Sequence, residues 1–403
     1  MKFKTVKLGD FLYIKGRIGW KGLKKKEYLT TGDYRIINGE SLTTDGIDWD
    51  KAGYITKERY DESPEIMLEN NDILISKDGT IGKIGFVKEL DKPTTVASGI
   101  FVVRNLKPEI INTRFIYNFL CSKYFKDFIV TRTEGSVIPH LYQKDFVELD
   151  FPLPSLEVQN KIVSILDYIS DKIDLNKQIN KNLEQQTQAL FTAWFESFEP
   201  FGGVAPASWR QVTLGDIAEI KTNSFNPQKN PDVLIEHYSI PTFDEKKYPV
   251  FEVAAGVKSN KYILSNNSVM ISKLNPDTKR VWRPLCLSDM AVSSTEFIIF
   301  EAFNPKHKDY VYSVIDSQGF TDWMCSHTTG STNSRQRTTP ATTLNYRLWL
   351  PDDESMDQFL NTVTPMYDLI AHNLSQNQEL ISLIDTLLPK FMSGEIDVSS
   401  INL

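Results

Sequence analysis

Two long segments with a heptad pattern of apolar residues constrain the fold of this chain more than any other feature. In the first, which starts at Ser155, apolar residues recur at alternating steps of four and three, the spacing of coiled-coil a and d positions. The second repeats the same frame 197 residues later. Pro365 near its start is expected to kink or delay the helix, because proline lacks the backbone N–H that the helix needs. The two seams of the first segment are Ile162, Ile169, Asn176, Leu183 and Leu190, and Leu166, Ile173, Asn180, Thr187 and Trp194; those of the second are Phe359, Met366, Asn373, Leu380 and Leu387, and Val363, Ile370, Asn377, Ile384 and Phe391.

Each predicted helix needs a partner along its length. About 40 residues at roughly 1.5 Å per residue make a helix of about 60 Å, longer than a domain of about 150 residues can cover. An antiparallel pair of the two helices faces Asn176 with Asn377 and Asn180 with Asn373, so that opposed amides satisfy each other and fix the register. A parallel pair would align the same asparagines, but the short linker and the intervening domain favour the antiparallel arrangement.

The rest of the chain is duplicated in the same order. Each copy opens with a Leu-Gly-Asp motif, contains an Ile-Ser-Lys motif and a Gly-Ser pair, and ends with a Leu-Pro pair before the heptad segment. A shared order over about 200 residues indicates an internal repeat. The matched positions are Val6–Asp10 with Val212–Asp216, Ile75–Lys77 with Ile271–Lys273, Gly135-Ser136 with Gly330-Ser331, and Leu153-Pro154 with Leu350-Pro351.

Within each copy the pattern predicts mixed α and β structure. Short apolar runs bounded by turn residues predict strands at 73–75 and 99–103, with counterparts at 268–271 and 297–300. The stretch 115–129 has apolar residues at helical spacing and predicts one helix packed on the sheet. The predicted fold class is α+β, with two repeated mixed α/β domains joined by two long helices that form an antiparallel coiled coil. The predicted boundaries are 1–154 for the first domain, 155–198 for the first long helix, 199–208 for a linker, 209–351 for the second domain, and 352–403 for the second long helix and a C-terminal tail.

The charge of the chain is unevenly distributed. Its 403 residues carry a formal net charge of −7, which as an average argues against a nucleic-acid-binding protein. By segment, however, residues 1–150 and 201–350 are each net +2, whereas 151–200 is net −3 and 351–403 is net −8. The acidic stretches therefore coincide with the predicted helices, and the predicted domains are slightly basic.

Cysteine usage and hydropathy predict the compartment. Cys121, Cys286 and Cys325 are too far apart for a CxxC metal site, and an odd count of three does not make a disulfide framework. The sequence has neither an apolar signal-peptide region at its N-terminus nor a run of about 18 apolar residues. These features predict a cytoplasmic protein without a membrane segment.

No motif in the sequence predicts a catalytic or cofactor site. The stretch 79–84 (GTIGKI) is too short for a phosphate-binding loop and is better interpreted as a hairpin punctuated by glycine. The five histidines lack metal-ligand spacing, and the motifs of a nucleophile elbow and of a base methyltransferase are missing. We therefore expect no catalytic, cofactor-binding or metal-binding residues in this chain.

Basic and polar side chains remain as candidates for contact with DNA. The segment 328–343 is rich in Ser, Thr, Asn, Gln and Arg, the side chains that meet phosphates and base edges. The candidate DNA-binding residues are Lys21, Lys24, Lys25, Lys26, Lys77, Lys83, Arg132, Ser136, His140, Lys258, Lys261, Lys273, Lys279, Arg280, Arg283, Ser331, Asn333, Arg335 and Arg337.

The order of these motifs resembles the specificity subunit of type I restriction–modification systems over nearly the whole chain. Residues 209–217 (WRQVTLGDI) resemble the opening of a target-recognition domain of that family, and 71–82 (NDILISKDGTIG) resemble its middle. Residues 135–140 (GSVIPH) resemble its end, and 189–195 (ALFTAWF) and 391–396 (FMSGEI) resemble the ends of the family's long helices.

The second domain departs from the family pattern at two places. Residues 272–276 (SKLNP) replace the glycine-rich stretch, and Gly330-Ser331 is followed by a tract rich in Arg and Thr. Two different half-sites would require such differences between the two target-recognition domains.

The resemblance implies a non-catalytic subunit in which each globular domain reads one half of a bipartite double-stranded DNA target. It also implies that the helices set the spacer between the half-sites and dock two methyltransferase subunits, through which restriction subunits bind. S-adenosylmethionine, ATP and magnesium would be bound by those partners and not by this chain. The residues themselves leave two alternatives open: a single-chain DNA nuclease or modification enzyme, and a non-enzymatic coiled-coil protein with two ligand-binding modules.

Overall fold

A computed structural model describes residues 3–18, 22–43, 46–133, 141–329 and 336–399. The chain forms two compact units. The first contains Met1–Lys172 and Glu379–Leu403, and the second contains Ile173–Gln378. The domain boundaries given above stay predictions.

Within the described residues up to 195, the chain forms eleven short strands and five helices, the last of which is the first long helix. The strands are β1 (Lys4–Lys7), β2 (Leu12–Gly16), β3 (Tyr34–Ile37), β4 (Leu42–Thr43), β5 (Gly46–Ile47), β6 (Gly53–Ile55), β7 (Ile73–Ser76), β8 (Ile84–Phe86), β9 (Thr94–Val96), β10 (Ile100–Asn105) and β11 (Asp150–Leu153), within the described residues. The helices in the same part of the structure are α1 (Lys57–Asp61), α2 (Thr113–Cys121), α3 (Lys123–Thr133), α4 (Gln143–Val147) and α5 (Leu156–Phe195).

The elements after residue 195 follow a similar succession and end in the second long helix. The strands are β12 (Arg210–Thr213), β13 (Ala218–Lys221), β14 (Ser224–Phe225), β15 (Leu234–Tyr238), β16 (Val250–Val253), β17 (Lys261–Ile263), β18 (Ser268–Ser272), β19 (Val281–Trp282), β20 (Ala291–Ser294), β21 (Phe297–Ala302), β22 (Thr328–Thr329), β23 (Arg337–Thr338) and β24 (Arg347–Leu350). The helices are α6 (Ile240–Lys246), α7 (Lys308–Ile315), α8 (Gln318–Ser326), α9 (Pro340–Thr343) and α10 (Asp353–Ser393).

The two units contain sheets of the same strand order. In the first unit a four-stranded antiparallel sheet has the order β2-β10-β7-β8, and in the second the order is β13-β21-β18-β19. A second sheet in each unit contains one parallel pair, β3 with β9 and β15 with β20. The antiparallel pairs β1-β11 and β12-β24 precede the two long helices. The repeat and the α+β fold class predicted from the sequence are therefore confirmed.

The predicted central strands form the cores of the two sheets. All residues of β7 and all of β18 are buried, so these strands read as continuous apolar runs without alternation. The predicted strands at 99–103 and 297–300 correspond to β10 and β21. Burial on both faces explains why short runs without periodicity were sufficient to identify them.

The single helix predicted over 115–129 is wrong, because the chain forms α2 and α3 there, separated at Ser122. The backbone of Ser122 is extended, with φ −67° and ψ 158°, which ends α2. Its hydroxyl donates to the carbonyl of Phe119 at 2.6 Å and accepts from the N–H of Phe125 at 3.4 Å. A serine that caps one helix and starts the next interrupts the helical ladder without disturbing the apolar spacing.

The two long helices are present as predicted, with 40 residues in α5 and 41 in α10. The hydroxyl of Ser155 accepts from the N–H of Val158 at 3.4 Å, and Oδ1 of Asp352 accepts from the N–H of Ser355 at 2.9 Å. Each helix therefore begins with a side-chain N-cap. Pro365 does not delay the second helix, since α10 begins at Asp353 and runs through the proline.

No helix in the described ranges is both long and apolar enough to cross a membrane.

Candidate nucleic-acid interface

The two long helices contact each other through asparagine side chains inside the second unit. Nδ2 of Asn176 donates to Oδ1 of Asn377 at 2.9 Å, and Nδ2 of Asn373 donates to Oδ1 of Asn180 at 2.8 Å. All four side chains are buried. The structure thus contains the pairing that the heptad frame predicts for antiparallel helices, and the role of these residues in fixing the register stays a prediction.

Sequence reasoning missed two further partners of the asparagines. Oε1 of Gln376 accepts from Nδ2 of Asn176 at 2.8 Å, and the carbonyl of Ile370 accepts from Nδ2 of Asn180 at 3.3 Å. Gln376 lies outside the a and d positions, and a backbone carbonyl has no sequence signal, so the heptad pattern could not identify either one.

The loop between β7 and β8 in the first unit is a hairpin punctuated by glycine, as predicted. Ser76 closes it, because its hydroxyl donates to the carbonyl of Thr80 at 2.6 Å and accepts from the N–H of Lys83 at 2.8 Å. Gly79 and Gly82 have φ values of +67° and +84°, a conformation that favours glycine. The glycines therefore serve the turn itself.

The loop between β18 and β19 in the second unit has the same closure without glycine. The N–H of Ser272 donates to the carbonyl of Arg280 at 2.9 Å, as the N–H of Ser76 does to the carbonyl of Lys83 at 2.9 Å. Asn275 has a φ of +48°, in the left-handed region that asparagine enters more readily than most residues. The departure from the family motif at 272–276 therefore retains a left-handed residue at the same place in the loop.

A lysine begins the loop of the first unit. The N–H of Lys77 donates to the carbonyl of Gly99 at 2.8 Å, and its carbonyl accepts from the N–H of Leu141 at 3.2 Å. Its ammonium lies 4.9 Å from the centre of the Phe101 ring. Both backbone groups of Lys77 are thus held by other parts of the fold, and the side chain is half-buried.

Lys273 has the corresponding position in the second unit. Its N–H donates to the carbonyl of Glu296 at 2.9 Å, and its carbonyl accepts from the N–H of Thr338 at 3.1 Å. Glu296 and Thr338 follow their counterparts in the first unit, Gly99 and Leu141, by 197 residues, and Lys273 follows Lys77 by 196. The side chain of Lys273 is also half-buried.

Four other candidate DNA-binding residues in the second unit form ion pairs with carboxylates. Burial raises the pKa of Asp316, and the ammonium of Lys279 opposes that rise. Sequence reasoning missed these acidic partners, because each lies at least 26 residues from its base along the chain. The pairs are Lys279 with Asp316 at 2.8 Å, Arg280 with Asp244 at 2.6 Å, Arg283 with Asp309 at 2.7 Å and with Asp368 at 2.8 Å, and Arg337 with Glu296 at 3.1 Å.

The remaining described candidates differ in whether their charged groups have a hydrogen-bond or ion-pair partner. Nζ of Lys261 donates to the hydroxyl and the carbonyl of Ser259 at 2.7 and 3.1 Å, and burial lowers the pKa of this lysine. The guanidinium of Arg132 lies 3.8 Å from Glu148, and Nζ of Lys83 donates to the carbonyl of Gly39 at 3.1 Å. The side chains of Lys24, Lys26 and Lys258 are exposed, and Lys25 lies in the short 3-10 turn Lys25–Glu27.

Six candidates lie outside the described residues, and no contact described above tests binding to DNA. The candidate set therefore stays a prediction. The six residues are Lys21, Ser136, His140, Ser331, Asn333 and Arg335.

A histidine–glutamate pair lies on the second sheet of the second unit. Nδ1 of His237 lies 2.7 Å from Oε1 of Glu252, and Nε2 is buried without a hydrogen-bond partner among the described residues. Burial lowers the pKa of His237; Glu252 opposes that shift, and Lys261 adds to it. No group of His, Cys, Asp and Glu side chains in the described part of the chain is arranged to hold a metal ion.

The known proteins that are similar to this chain have related descriptions. Residues 1–185 match the family described as type I restriction modification DNA specificity domain. The chain is 25% identical over 380 residues to the type I restriction enzyme MjaIX specificity subunit of Methanocaldococcus jannaschii, covering 86% of this chain and 82% of that relative. It is 32% identical over 173 residues to the HindI specificity subunit of Haemophilus influenzae, which covers 41% of this chain and 37% of that relative.

The fold is similar to that of a solved S subunit. The crystal structure of the type I restriction–modification S subunit from M. genitalium aligns with a TM-score of 0.56 at 16% identity, over 97% of this chain and 96% of that chain. At this identity the likeness concerns the fold alone. The sequence matches, taken with the repeated sheet order and the paired long helices, show that the chain is similar over most of its length to type I restriction–modification specificity subunits, with residues 1–185 matching the DNA specificity domain itself.

Proposed function

We propose that this chain supplies the DNA sequence specificity of a type I restriction–modification complex, with each globular domain reading one half of a bipartite target. The observation that carries the proposal is the pair of units with one strand order but different loop residues. The loop of one unit is built on Gly79 and Gly82, and the loop of the other on Asn275. One scaffold with two sets of loops suits the recognition of two different sequences.

The long helices would set the spacer between the half-sites and dock two methyltransferase subunits, through which restriction subunits would bind. A helix of 40 residues spans about 60 Å at roughly 1.5 Å per residue, which limits the separation of half-site centres to about 18 base pairs at ~3.4 Å each. The acidity of 351–403, net −8, supports a role in contact with protein and away from phosphate.

In this proposal the chain is a non-catalytic subunit of a cytoplasmic complex. The partner subunits would bind S-adenosylmethionine, ATP and magnesium. The slightly basic charge of the domains, net +2 for each of 1–150 and 201–350, supports DNA binding that is shared with those partners.

A matched deletion tests the proposal. Removal of 169–175 and 378–384 takes one heptad from each helix and keeps the a and d frame on both sides. Seven residues correspond to about 10 Å, so the spacer is expected to shorten by about three base pairs while both half-sites stay the same. The measurement is methylation mapping of DNA from cells that express the variant with its methyltransferase.

The outcomes separate this function from its rivals. An unchanged spacer would contradict the role of the helices, and deletion from one helix alone serves as the control, because it shifts the two seams out of register. Cleavage or methylation of DNA by the purified chain alone would instead establish a single-chain enzyme. Failure to co-purify with a co-expressed methyltransferase would favour a coiled-coil protein with two ligand-binding modules.

A further inference from the structure

We propose that Lys77 and Lys273 make the same contact in both half-sites, each binding a phosphate of the DNA backbone without reading a base. This inference rests on the proposed function, because it assigns a role within the same interface. It starts from the equivalence of the two positions. Lys77 directly follows Ser76, the last residue of β7, and Lys273 directly follows Ser272, the last residue of β18. Each lysine therefore stands at the beginning of a hairpin loop.

The backbone at both positions is held in the same way. In each unit the lysine N–H donates to the carbonyl of the residue just before β10 or β21. The distance is 2.8 Å from Lys77 to Gly99 and 2.9 Å from Lys273 to Glu296. In each unit the lysine carbonyl accepts from a residue that follows α3 or α8 in the chain, at 3.2 and 3.1 Å. Two hydrogen bonds to separate segments fix where the side chain leaves the fold, as precise positioning on a duplex requires.

The charge, and not the packing, is what the two positions share. Lys77 lies over the ring of Phe101, but the residue in the corresponding register position of the second unit is Ile298, which pairs with Ile271 as Phe101 pairs with Ile75. A cation–π contact therefore cannot explain a lysine at both positions.

Among the described residues, neither ammonium group forms an ion pair with a carboxylate. Among the described residues, the ion pairs on the second unit's loop and its neighbours involve Lys279, Arg280, Arg283 and Arg337, and Lys273 takes part in none of them. Lys77 likewise forms no ion pair within the described ranges. A half-buried ammonium that pairs with no carboxylate in the described part of the chain is available to a phosphate oxygen, whereas the paired bases would first have to break an ion pair.

The chemistry of the ligand follows from what two different half-sites have in common. Their bases differ, but both present the same phosphate backbone. A residue shared by two otherwise divergent loops is therefore expected to contact phosphate, the sequence-independent part of DNA. Lysine suits this role as a flexible point charge with no fixed hydrogen-bonding pattern.

The test uses the whole chain in complex with its methyltransferase and a duplex that carries the mapped bipartite site. Lys77→Gln and Lys273→Gln remove one charge each, and binding is measured over a series of salt concentrations. Because each phosphate contact contributes about 0.9 to the slope of log K against log salt, we expect the slope to fall by about 0.9 in each variant and by about 1.8 in the double variant. Lys77→Arg and Lys273→Arg are expected to restore the slope.

The controls are exposed lysines at the other end of each sheet. Lys107 follows β10 and lies 5.1 Å from the ring centre of Phe11, and the exposed Lys306 follows β21. Lys107→Gln and Lys306→Gln are expected to leave the slope unchanged. An equal fall in the controls, an unchanged slope in K77Q or K273Q, or an altered half-site in the methylation map of either variant would overturn the inference. If the wild-type complex failed to methylate a bipartite site, the proposed function itself would be wrong.

Discussion

Asn176 and Asn377 form a direct side-chain hydrogen bond of 2.9 Å at a position where both residues are buried between two long helices. Apolar residues occupy most of the other a and d positions, so the asparagines form a polar layer within a mainly apolar seam. A polar layer of this kind lowers stability but accepts one alignment of the helices, because a shifted helix would leave the amides without partners.

Replacement of both asparagines by leucine should therefore raise stability and loosen the alignment. In Asn176→Leu/Asn377→Leu, two buried leucines replace the hydrogen bonds from Asn176 to Asn377 and to Gln376, and we expect the free energy of unfolding to rise by about 2 kcal/mol. Thermal unfolding measures the change in stability, and light scattering measures whether the looser alignment changes the oligomeric state. A large loss of stability in the double variant would contradict the prediction and place the asparagines in a wider polar network that includes Gln376.

The single variant Asn176→Leu is the control. It leaves the amide of Asn377 buried without its partner, so we expect a loss of about 1–3 kcal/mol. Opposite signs for the single and double variants would show that the pair acts as a unit.

Arg283 should contribute more to stability than to DNA binding. It was predicted as a DNA contact, but its guanidinium is half-buried and pairs with Asp309 and Asp368 at 2.7 and 2.8 Å. Arg283→Met leaves the buried Asp309 without its cation, and we expect a loss of about 3 kcal/mol in chemical denaturation. The salt dependence of DNA binding by the folded complex should not change, and a fall in its slope of about 0.9 would contradict this prediction.

The fold was largely predictable because its strongest determinants are local or periodic. The heptad frame requires only residue spacing, and the central strands β7 and β18 are short apolar runs between turn residues. The helix over 115–129 was wrong because one serine, Ser122, changes the backbone without changing the apolar period. A capping hydroxyl that ends one helix and begins the next has the same sequence appearance as a polar residue on a helix surface.

The candidate site was less predictable because a list of basic residues does not show where their charges are used. Arg280 and Arg337 are attractive from sequence, yet each pairs with an acid more than 30 residues away, Asp244 and Glu296. The phosphate contact that we propose for Lys273 could not be inferred from composition either. The proposal depends on backbone hydrogen bonds to Glu296 and Thr338 that match those of Lys77, and these are visible only in the folded chain.

His237 should make the second unit sensitive to acid. Burial holds its pKa below the ordinary value of 6.5, so below that pH the unfolded chain binds a proton that the folded chain does not. Stability is therefore complete above pH 6.5 and falls as the pH decreases towards the lowered pKa, by at most about 1.4 kcal/mol per pH unit. His237→Gln should remove this part of the loss in unfolding measured from pH 7 to pH 5, with Glu252 and Lys261 left in place.

The control for the substitution itself is His372→Gln, which replaces an exposed histidine by the same residue. Burial also lowers the pKa of His307, but this residue is present in every variant, and its contribution cancels in the comparison. An unchanged profile in H237Q would show that the Glu252 contact compensates for burial.

Alanine substitutions at Gly79 and Gly39 distinguish the energetic cost of a left-handed backbone from the cost of a steric clash. A Cβ at Gly79 or at Gly39 would meet no atom within 4 Å, but Gly79 has a φ of +67° and Gly39 is outside the left-handed region. Gly79→Ala should therefore lose about 1 kcal/mol, since an L-residue is strained there, whereas Gly39→Ala should gain about 0.5 kcal/mol by restricting the unfolded chain. Asn275→Gly in the matching loop should be neutral or stabilising, because it relieves a φ of +48°. Equal effects of the two alanine substitutions in chemical denaturation would contradict the left-handed turn on which the loop between β7 and β8 is built.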